Sequence, residues 1–333
     1  MKERQIIEKI ISCFKKSNLH CNEFFESDAE VIDFNNTKIL FSTDDFSAED
    51  FFREVHPFQL GKNLATATIS DILASGGIPL FYAHSMVIPS DWKEDFILDV
   101  SRGIAKIIEI TKANFIGGDF GNSNEWRYTG IVIGEALTPL SRKGAKNGDA
   151  VYLTGKVGAG NLEAALFMYS EKALIGKLIK NFKTEFHCRV NESELIRNYA
   201  TSCIDSSDGI FNAINTISSI NKCGFYLENI PILKEASIAC KIIGKPEELL
   251  ILGECGEYEL LFTVDKNNIE AFEKEIKSSG FEINRIGTIT DVDIKKIISK
   301  NKEIKLNNFD ISARAFNSTK EYLSTLTDFV NKC

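Results

Sequence analysis

The sequence predicts two α+β domains. The 333 residues are enough for two domains at roughly 100–200 residues each. Apolar residues make up 44% and charged residues 26% of the chain, so each half can bury a core of its own. Strand and helix patterns interleave without a regular β-α-β-α beat, which disfavours a doubly wound sheet or a barrel. The segment SRKGAKNGDA at 141–150 is dense in Gly, Asn and Lys and has no apolar period. It reads as the boundary between an N-terminal domain over 21–140, preceded by a helix within 1–20, and a C-terminal domain over 150–333.

Ile6, Ile7, Ile10, Ile11 and Phe14 recur at helical spacing. Val31–Phe34 and Lys38–Ser42 are short apolar runs joined by Asn35-Asn36, which is hairpin chemistry. Leu64, Ala67, Thr68 and Ile72 share one face of a helix over Leu60–Ala74. Phe81–Ile88 reads as a strand, and Ser90 or Asp91 as the cap of a helix reaching Thr111. Asn114–Ile116 and Tyr128–Leu137 read as strands. In the second half, strands are expected at Val151–Thr154, Gly224–Glu228, Glu259–Val264 and Phe281–Ile289. Helices are expected near 160–169, 192–202, 209–220 and 269–279, and the lysine-rich Lys295–Asn308 as a solvated hairpin or loop.

Acidic residues outnumber basic ones 47 to 39, for a formal charge of −8. That balance disfavours a nucleic-acid binder, which presents a basic face. No apolar run approaches the roughly 18 residues a membrane-spanning helix needs. The start MKERQIIEKIISCFKK has no apolar core of a signal peptide, so a cytoplasmic protein is expected. The eight cysteines never fall in a C-x-x-C pair, and most are expected to be buried thiols rather than zinc ligands or disulfides.

The chemistry candidates are carboxylates at expected turns and element ends. They are Asp28 before the first strand, Asp44 and Asp45 at the end of the second, Asp71 in a helix, Asp119 after Gly117-Gly118, and Asp205 and Asp208 before a helix. Each alone is also a plain cap or turn residue. Together they suit a hard cation such as Mg²⁺, which takes carboxylate oxygens alongside substrate phosphates. No G-x-x-x-x-G-K-[ST] loop occurs, and Gly158-Ala159-Gly160 lacks the third glycine of a dinucleotide fingerprint. An ATP enzyme with this sequence needs another fold.

The ordered motifs SDAEVI (27–32), STDD (42–45), LGKNLATATISDILASGGIP (60–79), FIGGDF (115–120), SRKGAKNGD (141–149), DSSDGI (205–210) and YELLF (258–262) resemble the AIR synthase (PurM-like) superfamily. The resemblance spans about residues 5–290 and is nearest to the thiamine-monophosphate kinases. It implies a two-domain PurM-like α+β fold whose N-terminal domains pair into a dimeric β-barrel, with ATP in a cleft along that homodimer. It further implies Mg²⁺ ligands at Asp28, Asp44, Asp71, Asp119, Asp205 and Asp208, with oxygens from Ser42 and Thr43. Gly118, Asp119, Arg142 and Ser207 would meet the nucleotide, and Asp44 and Asp208 would serve catalysis. Phosphoryl transfer needs mainly positioning and charge neutralisation, so such a cluster could act without a protein nucleophile.

Apart from Ser27, which replaces the first Asp of the kinases' Gly-Asp-Asp run, the departures concern the acceptor. Where the kinases carry His-Phe, this chain reads Phe51-Phe52, with His56 five residues on. Where they read Gly-Glu-Asp before YELL, it reads Cys255-Gly256-Glu257, with Glu254 displaced. His56 and Glu257 are the nearest replacements as acceptor residues. Expected function is therefore ATP-dependent phosphorylation of thiamine phosphate, as in thiamine diphosphate biosynthesis. The alternatives are a related enzyme with another small phosphate acceptor, a relative of the hydrogenase maturation dehydratases (whose reactive terminal cysteine Cys333 matches in one residue only), and a non-catalytic nucleotide scaffold. A carboxylate cluster without a cation costs repulsion, which disfavours the scaffold.

Overall fold

A computed structural model describes residues 3–50, 52–168, 183–291, 294–300 and 302–333. Phe51 and the last residue of the helix expected to end at 169 lie outside them. The first strands are β1 (Glu30–Phe34) and β2 (Thr37–Ser47). The Asn35-Asn36 turn between them has φ of 53° and 64°, the left-handed pair that a tight hairpin demands. β3 (Ile78–Pro89), β4 (Asn114–Ser123) and β5 (Arg127–Ala136) complete a five-stranded sheet of order β1-β2-β5-β3-β4, in which only β3 and β4 run parallel.

Two strands outrun their sequence expectation. β2 continues past Ser42 because β5 pairs with it as far as Ser47, so Thr43-Asp44-Asp45 lie within the strand. β4 continues past Ile116 because β3 pairs with it as far as Ser123, so Gly118 and Asp119 sit mid-strand at the sheet edge. After α1 (Glu3–Ile11), helices α2 (Pro57–Ala74) and α3 (Glu94–Thr111) pack together in this half. A Cβ on Gly61 would lie 1.9 Å from the Val100 carbonyl oxygen, and one on Gly103 2.1 Å from that of Phe58. Lys93, not Ser90 or Asp91, stands at the start of α3 and offers no side-chain cap. Trp92 delays the helix by packing 4.4 Å from the Phe96 ring and donating to Glu54.

The second sheet has seven strands, β6 (Ala150–Thr154), β7 (Ala200–Asp205), β8 (Gly224–Leu227), β9 (Leu260–Val264), β10 (Ile283–Thr290), β11 (Lys295–Ser299) and β12 (Lys302–Lys305). Their order is β12-β11-β8-β10-β6-β9-β7. The helices of this half are α4 (Ala159–Met168), α5 (Val190–Ile196), α6 (Gly209–Asn221), α7 (Lys234–Ile243), α8 (Leu249–Leu252), α9 (Ile269–Ser279) and α10 (Thr319–Lys332). The helix expected over 192–202 stops at Ile196, since residues 200–205 are claimed by pairing with β9. The lysine-rich hairpin forms as β11 and β12, yet Ile297, Ile304 and Leu306 in it are buried.

One apolar cluster runs through both halves, from Leu40, Leu64 and Tyr82 to Phe262 and Phe272, and a second lies between the large sheet and α6, α8 and α10. Segment 141–149 is fastened to both halves, with Arg142 N donating to the Glu26 carbonyl and Cys203 N to that of Ser141. Cys203, Cys223 and Cys240 are buried, whereas Cys13, Cys21 and Cys333 are exposed, so fewer thiols are buried than expected. Three of them lie in terminal or surface segments with no core to enter. Among the described residues no helix is long and apolar enough to cross a membrane.

Candidate active site

α2 carries the first carboxylate. Gly130 on β5 faces Asp44 across the sheet, and a Cβ there would lie 2.1 Å from Thr68 Oγ1, so its absence lets α2 lie close. Asp71, one turn beyond Thr68, then accepts a hydrogen bond from Ser42 Oγ of β2. Ser42, Asp44 and Phe46 alternate on the α2 side of β2, which leaves the exposed Thr43 side chain on the opposite face. Thr43 therefore brings no hydroxyl to Asp71. Asp28 is brought in by its neighbours: Ala29 N donates to Ser75 Oγ at 3.0 Å, and the Ser27 hydroxyl lies 3.1 Å from that of Ser75.

The second half supplies the rest. Asp205 ends β7 and accepts from Ser70 Oγ of α2 at 2.5 Å. Gly209, at φ 82°, turns the chain into α6, where a Cβ would lie 2.4 Å from the Gly253 carbonyl oxygen. Asp208 stands at the N-cap position of α6 but makes no capping bond with its side chain. Its carboxylate lines a cavity instead. One oxygen each from Asp28, Asp71 and Asp205 lie within 4.8 Å of one another.

These carboxylates strain one another. Burial, with the charges of Asp205 and Asp28 added, pushes the Asp44 carboxyl up to about 8. Burial and then Asp44 hold Asp71 well above the ordinary range. Asp28 rises to about 6 through burial, moderated by Arg142. Asp208 also rises to about 6, through enclosure and the charges of Asp205 and Glu254. Asp28 Oδ2 is buried without a partner. All-oxygen, mutually repelling donors with an orphaned oxygen fit a hard divalent cation.

Beside the cluster opens a cavity of about 640 Å³ whose walls include Asp44, Asp208, Asp50, Glu254, Phe52 and Tyr258. The sequence reading missed its far wall, which the turn at Ala313–Ala315 and α10 supply through Arg314 and Tyr322. Glu254 Oε2 accepts from Ala313 N at 2.9 Å and holds that turn in place. Tyr258 has φ 58°, a conformation costing a non-glycine residue about 1–2 kcal/mol. Its neighbours impose it. Glu259 is gripped by Arg189 through two bonds of 2.6 Å and by Thr154. Gly256 lies so close to Ser206 that a Cβ would be 1.5 Å from its carbonyl oxygen.

Four other expected residues, Glu257, His56, Gly118 and Asp119, stand apart from the cluster. Glu257 is buried, its Oε1 accepting from Gly158 N at 2.5 Å, and burial pushes it up to about 8. It lies outside the cavity lining, because the positive φ falls on Tyr258 rather than making a bulge at Gly256. His56 opens α2 beside a small separate recess with Gln59 and Asn63. Gly118 and Asp119 are exposed on edge strand β4. Arg142 donates to Asp28 at 2.5 Å. Ser207 lines the cavity next to Asp208, and Cys333 ends α10 in solvent.

Two family models match this chain, AIR synthase related protein N-terminal domain over residues 26–136 and C-terminal domain over 146–300. The chain belongs to the AIR synthase-related family. Within that family it is similar to the thiamine-monophosphate kinase of Buchnera aphidicola subsp. Schizaphis graminum, at 30% identity over 87% of this chain and 92% of that protein. The enzyme of the same name from Pyrococcus abyssi is 28% identical over 84% and 87%. A solved structure described as AaThiL complexed with AMPPCP and TMP superposes with a TM-score of 0.73 at 21% identity, covering 91% of this chain and 96% of that one. Escherichia coli HypE shares the fold at a TM-score of 0.68 and 15% identity.

Proposed function

We propose that this protein is a thiamine-monophosphate kinase that transfers the γ-phosphoryl group of Mg-ATP to thiamine phosphate, giving thiamine diphosphate and ADP. The observation that carries the reading is the meeting of Asp28 and Asp71 with Asp205, from opposite halves, next to Asp44 and Asp208, which line a cavity. Family membership and the kinases of that name support it. Asp28, Asp71 and Asp205 would hold Mg²⁺, with Asp44 and Asp208 completing the set. Bound Mg²⁺ supplies neutralisation of phosphate charge. Ser42 and Ser70 orient the ligands by donating to Asp71 and Asp205. The acceptor brings its own phosphate oxygen as nucleophile, so the chain needs to position it rather than to activate it.

Gly118, Asp119, Arg142 and Ser207 are the proposed nucleotide contacts. Gly118 and Asp119 flank the nucleotide if two chains pair as a homodimer through β4. The open edge and the exposed Phe115, Ile116 and Phe120 support such pairing. The deciding experiment incubates the protein with Mg-ATP and thiamine phosphate and separates the products. Formation of thiamine diphosphate with ADP, abolished by EDTA, is the expected result. Tight Mg-ATP binding without turnover would assign the cavity to another acceptor.

A further inference from the structure

We infer that Tyr258 is the specificity-determining seat for the cationic ring of the acceptor, an inference that rests on thiamine phosphate being that acceptor. Four aromatic rings run along this side of the cavity. Phe46 meets Phe52 at 5.6 Å, Phe52 meets Phe186 at 5.9 Å, and Phe186 meets Tyr258 at 5.1 Å. All four line the cavity. Phe46, Phe52 and Phe186 are buried, whereas Tyr258 is only partly buried, the most exposed of these four residues. Asp50, Asp208 and Glu254 line the same space.

An aromatic face within a ring of carboxylates is the setting that attracts a flat organic cation, by cation–π attraction and by charge. A neutral or anionic ring gains neither. Burial, followed by the charges of Asp44, Asp205, Asp50 and Asp208, holds the Tyr258 phenol well above its ordinary value, so the side chain is neutral. The left-handed backbone at Tyr258 is a departure that tertiary contacts on both sides hold in place, and such departures gather at ligand sites. Tyr258 lines the same cavity as Asp44 and Asp208, so an acceptor whose phosphate is held at the aspartates can lay its cationic ring on Tyr258.

The test compares thiamine phosphate with an isostere in which a neutral thiophene replaces the thiazolium ring. Wild type, Tyr258→Leu and Tyr258→Phe are each assayed for KM and, with a non-hydrolysable ATP analogue, for direct binding by calorimetry. Mg-ATP affinity and thermal unfolding report folding of the variants. Wild type should prefer the cation about tenfold, Tyr258→Phe should keep that preference, and Tyr258→Leu should lose most of it. Turnover of thiamine phosphate with the same preference in wild type and Tyr258→Leu overturns the seat and leaves the proposed reaction standing. A Tyr258-dependent preference for the cation without turnover does the reverse. No preference in wild type overturns the seat outright.

Discussion

Glu259 is a single side chain on which the local geometry of the site depends. Arg189 clamps it with Nε and Nη2, Thr154 donates to it, and its backbone N–H and carbonyl oxygen both engage Ser206. Ser206 adjoins Asp205, so this ion pair fixes both the second-half aspartates and the backbone of Tyr258. Removing one partner of a buried pair leaves the other charge uncompensated, at a cost of about 3–5 kcal/mol. Glu259→Ala should lower the urea midpoint accordingly, and the residual folded protein should bind Mg-ATP more weakly. An unchanged midpoint would mean that Arg189 finds Glu192, already 3.0 Å away, as a full substitute. Aspartates at this site were legible in the sequence because the residue type is specific. Glu254 and Tyr258 were visible only as a displaced glutamate and a motif tyrosine. Their place in the cavity depends on a left-handed backbone and on a turn some 55 residues away, which no local pattern encodes.

Elements were read where periodicity is strong and misread where a neighbour decides. The Leu60–Ala74 helix and the helix over 269–279 declare themselves by apolar spacing, and Asn35-Asn36 declares its hairpin. The lengths of β2 and β4 are set by β5 and β3, and the end of α5 by β9, so the sequence of each element alone leaves them undetermined. The contact of α2 with α3 is similarly tertiary and depends on two glycines. Gly103→Ala places a methyl against the Phe58 carbonyl and should destabilise the protein by about 1–3 kcal/mol, measured as a lower Tm with Mg-ATP affinity retained at low temperature. Edge strand β4 makes a different prediction. If it pairs with a second copy, Phe120→Lys should shift sedimentation from twice the chain mass to the 37.2 kDa of one chain. A wild type sedimenting at 37.2 kDa with ATP present would rule the pairing out.

At the scale of the whole molecule, the aspartates are the joint between the halves, and their charge links stability to pH and metal. Asp28, Asp44 and Asp208 reach about 6, 8 and 6 in the folded protein, and Asp71 lies higher than its ordinary value. In the unfolded chain all four return to about 4. The folded state therefore holds more protons across that interval, and unfolding free energy falls as pH rises from about 4 to about 8. Their contribution is fully present below the unfolded value and lost as pH passes the folded ones. A divalent cation needs the deprotonated carboxylates, so its binding strengthens over the same interval and restores what deprotonation removes. In EDTA, Tm should decline by several degrees between about pH 5.5 and 8. Added Mg²⁺ should raise Tm at the upper end and have little effect at the lower. Asp44→Asn removes the carboxyl raised to about 8, so it should flatten the decline in EDTA while weakening the Mg²⁺ effect. A Mg²⁺ shift equal at both pH values would place the cation away from these carboxylates, and with it the proposed phosphoryl-transfer centre.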